Sequence, residues 1–152
     1  MSKKVVAYDV TLRDGTQGEG VSFSIEDKIR VSHKLDELGV GYIEGGWPGS
    51  NDRDEGFFKK VQNERYTNST IVAFGSKRRA KEKCDQDTNI QSLLNANTSA
   101  ITIVGKTWDF HVSEALKITN KKNLELISDS IEYLSQRVDE VFFDAEHFFD
   151  GY

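Results

Sequence analysis

The residues best suited to chemistry stand in the stretch YDVTLRDGTQGEG, residues 8–20, where a strand-like run ends in Arg13-Asp14-Gly15. Asp14 is a hard oxygen donor of the kind that suits Mg²⁺, Mn²⁺ or Zn²⁺. It also reads as an aspartate capping the turn before Gly15. Arg13 carries a permanently charged planar fork, fit to hold a carbonyl or enolate oxygen, and equally fit for a surface ion pair. Glu44 precedes Gly45 and Gly46, and glycines let a ligand approach the backbone closely. A structural pairing of Glu44 with Arg13 is compatible with a catalytic role. Asp144 and Glu146 are two apart and stand beside His147. On a strand such acids point the same way; they suit orientation of a nucleophile or relay of a proton, or else mark an exposed strand end.

Other charged stretches carry less. GSKRRA, residues 75–80, puts Lys77, Arg78 and Arg79 in a row, either as a phosphate grip or as a solvated face. GKTWDFH, residues 105–111, lacks the Walker spacing and is no P-loop. His111 is a candidate for substrate contact from the loop after the fourth strand. His33 lies in a helical pattern and reads as structural; Cys84 has no evident partner and reads as inert.

These residues need elements to place them. Apolar, β-branched runs occur at 5–10, 41–46, 69–75, 100–105 and 140–146. Between them lie stretches of helical spacing. In SIEDKIRVSHKLDELG, Ser24 is a good N-cap, Asp27 sits at the capping-box position and Gly39 suits the stop. Ile25, Ile29, Val31, Leu35 and Leu38 form an apolar stripe there; Leu124, Ile127, Ile131 and Leu134 form another in 123–138. Strand and helix alternate, which indicates βα units on a parallel sheet. An open doubly wound sheet and a (β/α)8 barrel share this rhythm, and length alone favours the former, since a barrel takes roughly 250 residues. In both, function gathers at the C-terminal ends of the strands, where Arg13, Glu44, Lys77, Lys106 and Asp144 all fall.

Composition narrows the class. The chain has 152 residues, enough for one ordinary domain, with nine Phe and five Tyr that favour a folded chain. A formal charge of −5 argues against a nucleic-acid or anionic-membrane partner held by bulk electrostatics. One cysteine allows no intrachain disulfide and fits a reducing cytoplasm. The start, MSKKVVAYDV, shows no leader pattern, and no run approaches the ~18 apolar residues of a membrane span. The expectation is a soluble cytoplasmic protein.

Taken together, DVTLRDGTQGEG, YIEGGWPGSN, VAFGSKRRA, GKTWDFHV and FFDAEHFFDGY resemble the N-terminal catalytic barrel of the citramalate synthase family. Its relatives are the isopropylmalate and homocitrate synthases and, more broadly, hydroxymethylglutaryl-CoA lyase. The resemblance overrides the length argument. It implies α/β architecture, with parallel (β/α) units making up roughly five of the eight of a TIM barrel. Residues 1–152 are then the N-terminal part of the catalytic domain, with later strands and a regulatory domain outside this chain. The implied reaction condenses acetyl-CoA with pyruvate and hydrolyses the thioester, giving citramalate and CoA, an entry to isoleucine and branched-chain amino-acid biosynthesis.

The same resemblance assigns roles. Asp14 matches the ligand of a divalent metal (Mg, Mn or Zn), Arg13 the group that steadies the oxo group, and Glu44 and Glu146 the acids lining the site. Asp144 and His111 are expected substrate contacts. The family's His-x-His metal pair is absent; His33, His111 and His147 are far apart. The metal is therefore incompletely liganded and the chain is expected to be inactive alone. Two alternatives stand beside this reading. One is a synthase or lyase acting on another substrate; the other is a non-catalytic half-barrel that self-associates. An incomplete barrel leaves edges uncovered, so a homo-oligomer is expected, with a 2-oxo acid and acetyl-CoA as the small-molecule partners.

Overall fold

The computed structural model describes residues 5–152, so the first four residues of the MSKK start lie outside the described residues. Five strands form one sheet: β1 (Tyr8–Asp9), β2 (Tyr42–Gly46), β3 (Thr70–Ser76), β4 (Ala100–Lys106) and β5 (Glu140–Glu146). All pairs are parallel and the order is β1-β2-β3-β4-β5. Each strand lies beside the one before it, whereas a doubly wound sheet reverses direction from an inner strand. This winding is that of a barrel wall.

The sheet is also curled. In a flat sheet the first and fifth strands would be about 19 Å apart, four spacings of ~4.8 Å. Here the Tyr8 ring lies 5.4 Å from that of Phe142 on β5, and its hydroxyl is 2.5 Å from Thr102 Oγ1 on β4. Tyr42 packs on Phe142 at 4.9 Å and donates to Glu140 Oε1 at 3.0 Å. Strands separated by two or three neighbours meet only across a concave face. The chain is thus α/β, a half-barrel of five parallel units.

Helices α1 (Ile25–Glu37), α2 (Asp52–Val61), α3 (Thr88–Asn95), α4 (Asp109–Glu114), α5 (Asn120–Ser135) and α6 (Phe148–Gly151) complete the chain. The capping box expected at Ser24 and Asp27 is present, each residue receiving the other's backbone N–H at 3.1 Å. Gly39, at φ +80°, makes the left-handed turn that ends α1. The core includes Leu12, Ile43, Phe57, Ile101, Ile103 and Leu134, all fully buried.

Several sequence expectations need correction. The first strand shrinks to two residues, and Val5 is 91% exposed. Leu38 and Leu124, placed on apolar stripes, are 78% and 65% exposed. The buried face of α1 is instead Lys28, Ile29, Ser32 and Asp36. The reason is polar pairing. Lys28 Nζ donates to Asp54 Oδ1 at 2.5 Å, and Asp36 accepts the backbone N–H groups of Thr67, Asn68 and Ser69. A stripe counted from apolar residues alone is rotated away from such a face. In α5 the buried residues are Asn123, Leu126, Ile127, Ser130 and Leu134. His33 is structural as expected, stacked on Tyr66 and 2.9 Å from Glu64. Cys84 is buried, and burial pushes its thiol pKa up, away from the reactive thiolate.

Candidate functional site

The turn after β1 aims the first pair of charges. The backbone N–H groups of Arg13, Asp14 and Gly15 all converge on the Val10 carbonyl, at 3.1, 2.9 and 3.1 Å. Thr16 Oγ1 closes the turn onto the Arg13 carbonyl at 2.7 Å. Arg13 then projects over the mouth of the half-barrel. Its guanidinium carbon lies 3.9 Å from the centre of the Phe74 ring, a cation–π contact. Its Nε donates to Glu44 Oε1, and its Nη1 to Asp14 Oδ1 at 3.0 Å. Of the five N–H groups of the fork, the two on Nη2 hold no protein partner among the described residues.

Glu44 sits beneath Arg13, 1% exposed. Its second oxygen accepts the Tyr8 hydroxyl at 2.7 Å. Burial raises the Glu44 pKa above the usual carboxylate range, Asp144 adds to the rise, and the bonds from Tyr8 and Arg13 oppose it. Burial, with Glu44 beside it, holds the Tyr8 phenol well above its ordinary value. Tyr8 therefore stays a donor at neutral pH. The result is a relay of fixed groups, Thr102–Tyr8–Glu44–Arg13, ending in a cation.

The cation opens on a cavity of about 610 Å³ at the C-terminal ends of the strands. Its charged lining comprises Arg13, Lys77, Lys106, Asp14, Asp144 and Glu146. Lys106 Nζ is 2.6 Å from Glu146 Oε2. Asp144 and Glu146 do face one side of β5, as period two requires. Lys77 is 8% exposed. Burial lowers its pKa, Lys106 lowers it further and Glu146 works against both.

The loop after β2 is held from outside. Asp54 takes Lys28 on one oxygen and the Trp47 backbone N–H on the other, at 3.0 Å. Trp47 Nε1 donates to Asn89 Oδ1 at 2.9 Å. Gly45 and Gly46, the last residues of β2 before this loop, are also required by packing. A Cβ on Gly45 would lie 2.4 Å from Phe57, and one on Gly46 would lie 2.7 Å from Asp54.

Of the residues singled out in the sequence, Arg13, Asp14, Asp144 and Glu146 line one cavity, and Glu44 touches Arg13 from below. His111 stands apart on α4, packed on Trp108 and His147 at ring distances of 4.7 and 4.5 Å. GSKRRA splits. Arg78 is bound to Asp129, and Arg79 to Asp87 and Glu82; of the three cations only Lys77 lines the cavity. Tyr8 was missed, although Tyr8 and Tyr42, in register on adjacent strands, are the sort of inward pair that period two exposes. Asp14 is a carboxylate 58% exposed in its side chain, and so able to offer oxygen to a hard cation. Among the described residues, however, no three His, Cys, Asp or Glu side chains gather as a metal shell. Asp14 fits one corner of a metal site; these residues do not fit a whole one.

A model of the HMGL-like family matches residues 4–151. The chain is 61% identical to an (R)-citramalate synthase of Geobacter sulfurreducens over 97% of its length and 28% of that protein's. It is 55% identical to an (R)-citramalate synthase of Aquifex aeolicus over 100% of its length and 29% of that protein's. It thus spans under a third of the length of either of these two relatives. A 2-isopropylmalate synthase of Caldanaerobacter subterraneus is 35% identical over 95% of the chain and 35% of its own length. Among solved structures, a hydroxymethylglutaryl-CoA lyase from Pseudomonas aeruginosa superposes with a TM-score of 0.70 at 21% identity, over 93% of this chain and 45% of that one. That likeness speaks for the fold alone.

Proposed function

The chain belongs to the HMGL-like family, and from that premise we propose that the protein carrying it is an acyltransferase of citramalate synthase type. A base takes a proton from the acetyl methyl of acetyl-CoA, that carbon bonds to the ketone carbon of pyruvate, whose oxygen takes up a proton, and water then cleaves the thioester to release CoA and citramalate. The place for this step is the cytoplasm, in isoleucine biosynthesis. Several (R)-citramalate synthases at 44–61% identity support the reading. The observation that carries it is the state of Arg13: pinned by Glu44 and Asp14, with Nη2 uncommitted at the cavity.

Carbon–carbon bond formation turns the ketone oxygen into an alkoxide. A preorganised donor aimed at that oxygen lowers the barrier, because it needs no reorganisation as charge develops. Arg13 is such a donor. Glu44 and Tyr8 fix its orientation from below, and Phe74 supports its face. Glu146, held by Lys106, stands on the opposite wall as the acid–base group, with Asp144 as a substrate contact. A divalent cation, when bound, would supply Lewis-acid polarisation of the ketone, and Asp14 is the residue of this chain that would ligate it.

The test is thiol release from acetyl-CoA with pyruvate, 2-oxoisovalerate and 2-oxoglutarate in turn, using the longest polypeptide that carries this sequence. Pyruvate is expected to give the highest kcat/KM. Arg13→Ala is expected to cut turnover by about 10²-fold or more, the worth of one oxyanion donor at ~3 kcal/mol. Near-normal turnover in that variant would remove Arg13 from the mechanism.

A further inference from the structure

Asn89 is the second residue of α3, on the outer layer, yet both ends of its amide are committed to residues that line the cavity. Oδ1 accepts the Trp47 indole N–H at 2.9 Å and, more weakly, the Ser76 backbone N–H at 3.4 Å. Nδ2 donates to the Ser76 carbonyl. One side chain therefore ties the loop after β2 to the end of β3. Asn89 is itself held, because its backbone N–H donates to Asp87 Oδ1 at 3.0 Å and Asp87 is fully buried. The strand passes so close that a Cβ on Gly75 would lie 2.9 Å from Asn89 Oδ1.

What Asn89 holds leads to Arg13. Trp47 packs edge to face with Phe74, with ring centres 5.8 Å apart at 80°, an arrangement that aromatic pairs favour. Phe74 lies two residues before Ser76 on β3, and its ring carries the Arg13 guanidinium. Asn89 thus grips both the strand that bears Phe74 and the indole that abuts it.

We propose that Asn89 is a positioning residue for Arg13, acting through Trp47 and Phe74. The proposal rests on the synthase reading above and adds a second support for its oxyanion donor. Glu44 holds the guanidinium in its own plane, through the bond from Nε. The Phe74 ring holds it in the direction across that plane, and Asn89 keeps the ring in place. A donor that drifts loses much of its effect as charge develops, since a displacement of ~1 Å can cost about 10²-fold in rate.

The experiment is steady-state kinetics with acetyl-CoA and pyruvate on the longest polypeptide that carries this sequence, each variant being made both alone and with Arg13→Ala. Asn89→Ala is expected to lower kcat about tenfold. Its KM for pyruvate is expected to stay within about twofold of the parent, as when an interaction made only in the transition state is lost. In the Arg13→Ala background the same substitution is expected to change kcat by less than about twofold, because it acts only through Arg13. Trp47→Phe keeps a ring against Phe74 but lacks the N–H. It is expected to match Asn89→Ala, and the Trp47→Phe/Asn89→Ala double variant to lose no more than either alone. Should Asn89→Ala not fold, Trp47→Phe carries the same comparison.

An equal loss in both backgrounds marks an effect on folding alone; it overturns the positioning role and leaves the synthase reading standing. Unchanged turnover in Asn89→Ala does the same. Losses that multiply in the double variant overturn the route through the indole. No thiol release by the parent overturns the synthase reading and this role with it.

Discussion

Lys28 and Lys77 are both buried as whole residues, at 0% and 8% exposure, yet the fold treats their ammonium groups in opposite ways. Lys28 reaches Asp54 at 2.5 Å and lies 5.2 Å from the centre of the Phe57 ring. Its charge is answered inside the molecule, between helices on the outer layer. Lys77 is at the mouth of the half-barrel, with no carboxylate bonded to it among the described residues. The contrast separates two uses of a buried cation. One fastens α1 to α2 and, through Asp54, fixes the Trp47 backbone. The other lines the cavity at the strand ends with no ion-pair partner among the described residues.

Substitutions can break this contrast, and the largest effect belongs to the closed pair. Asp54→Ala leaves Lys28 buried without a partner and should cost about 3–5 kcal/mol of folding stability. The double variant Lys28→Met/Asp54→Leu should recover most of that loss, since an apolar pair of similar volume replaces two desolvated charges. Urea denaturation of the single and double variants checks both; equal stability of Asp54→Ala and the parent would show that the pair contributes nothing.

A smaller effect is expected one residue before Trp47. Gly46 has φ +140°, and a Cβ there would meet Asp54 at 2.7 Å and Lys28 Nζ at 2.9 Å. Gly46→Ala should therefore cost about 1–3 kcal/mol through backbone strain and displacement of the pair. A midpoint unchanged from the parent would mean that the pair moves aside freely.

The smallest effect concerns pH. Burial comes first in lowering the pKa of both lysines. Each then binds fewer protons folded than unfolded between its lowered value and the ordinary lysine value of ~10.4. Stability from this source rises as pH climbs through that window and is absent below it. Lys77→Met should flatten part of the rise and leave the part due to Lys28. Parallel stability–pH curves for parent and variant would contradict the assignment of Lys77 as an uncompensated charge.

The opening pair Arg13-Asp14 and the acids Asp144 and Glu146 were legible because their relation is local. Adjacent residues share a turn, and residues two apart share a strand face. The capping box of α1 was legible for the same reason: its partners are three residues apart. Lys77 was hidden in a run of three cations, since nothing in GSKRRA distinguishes the one that faces inward. Tyr8 was passed over as a strand residue, although its hydroxyl is what holds Glu44 from the side away from Arg13.

The sequence by itself determined the alternation of strand and helix, the parallel sheet, the helix ends and the charged groups waiting at the strand ends. These follow from dihedral preference and from periods of two and 3.6, which act over a few residues. Only the tertiary structure decided that the sheet curls, that Lys28 rather than Leu38 faces inward, and which cation goes without a carboxylate. Those outcomes join residues far apart in the chain, such as Arg13 with Glu44 across 31 positions and Lys28 with Asp54 across 26. They depend on how far each helix is rotated and how each strand is registered against its neighbour. Packing of the whole layer sets those quantities, and no short stretch of sequence records them.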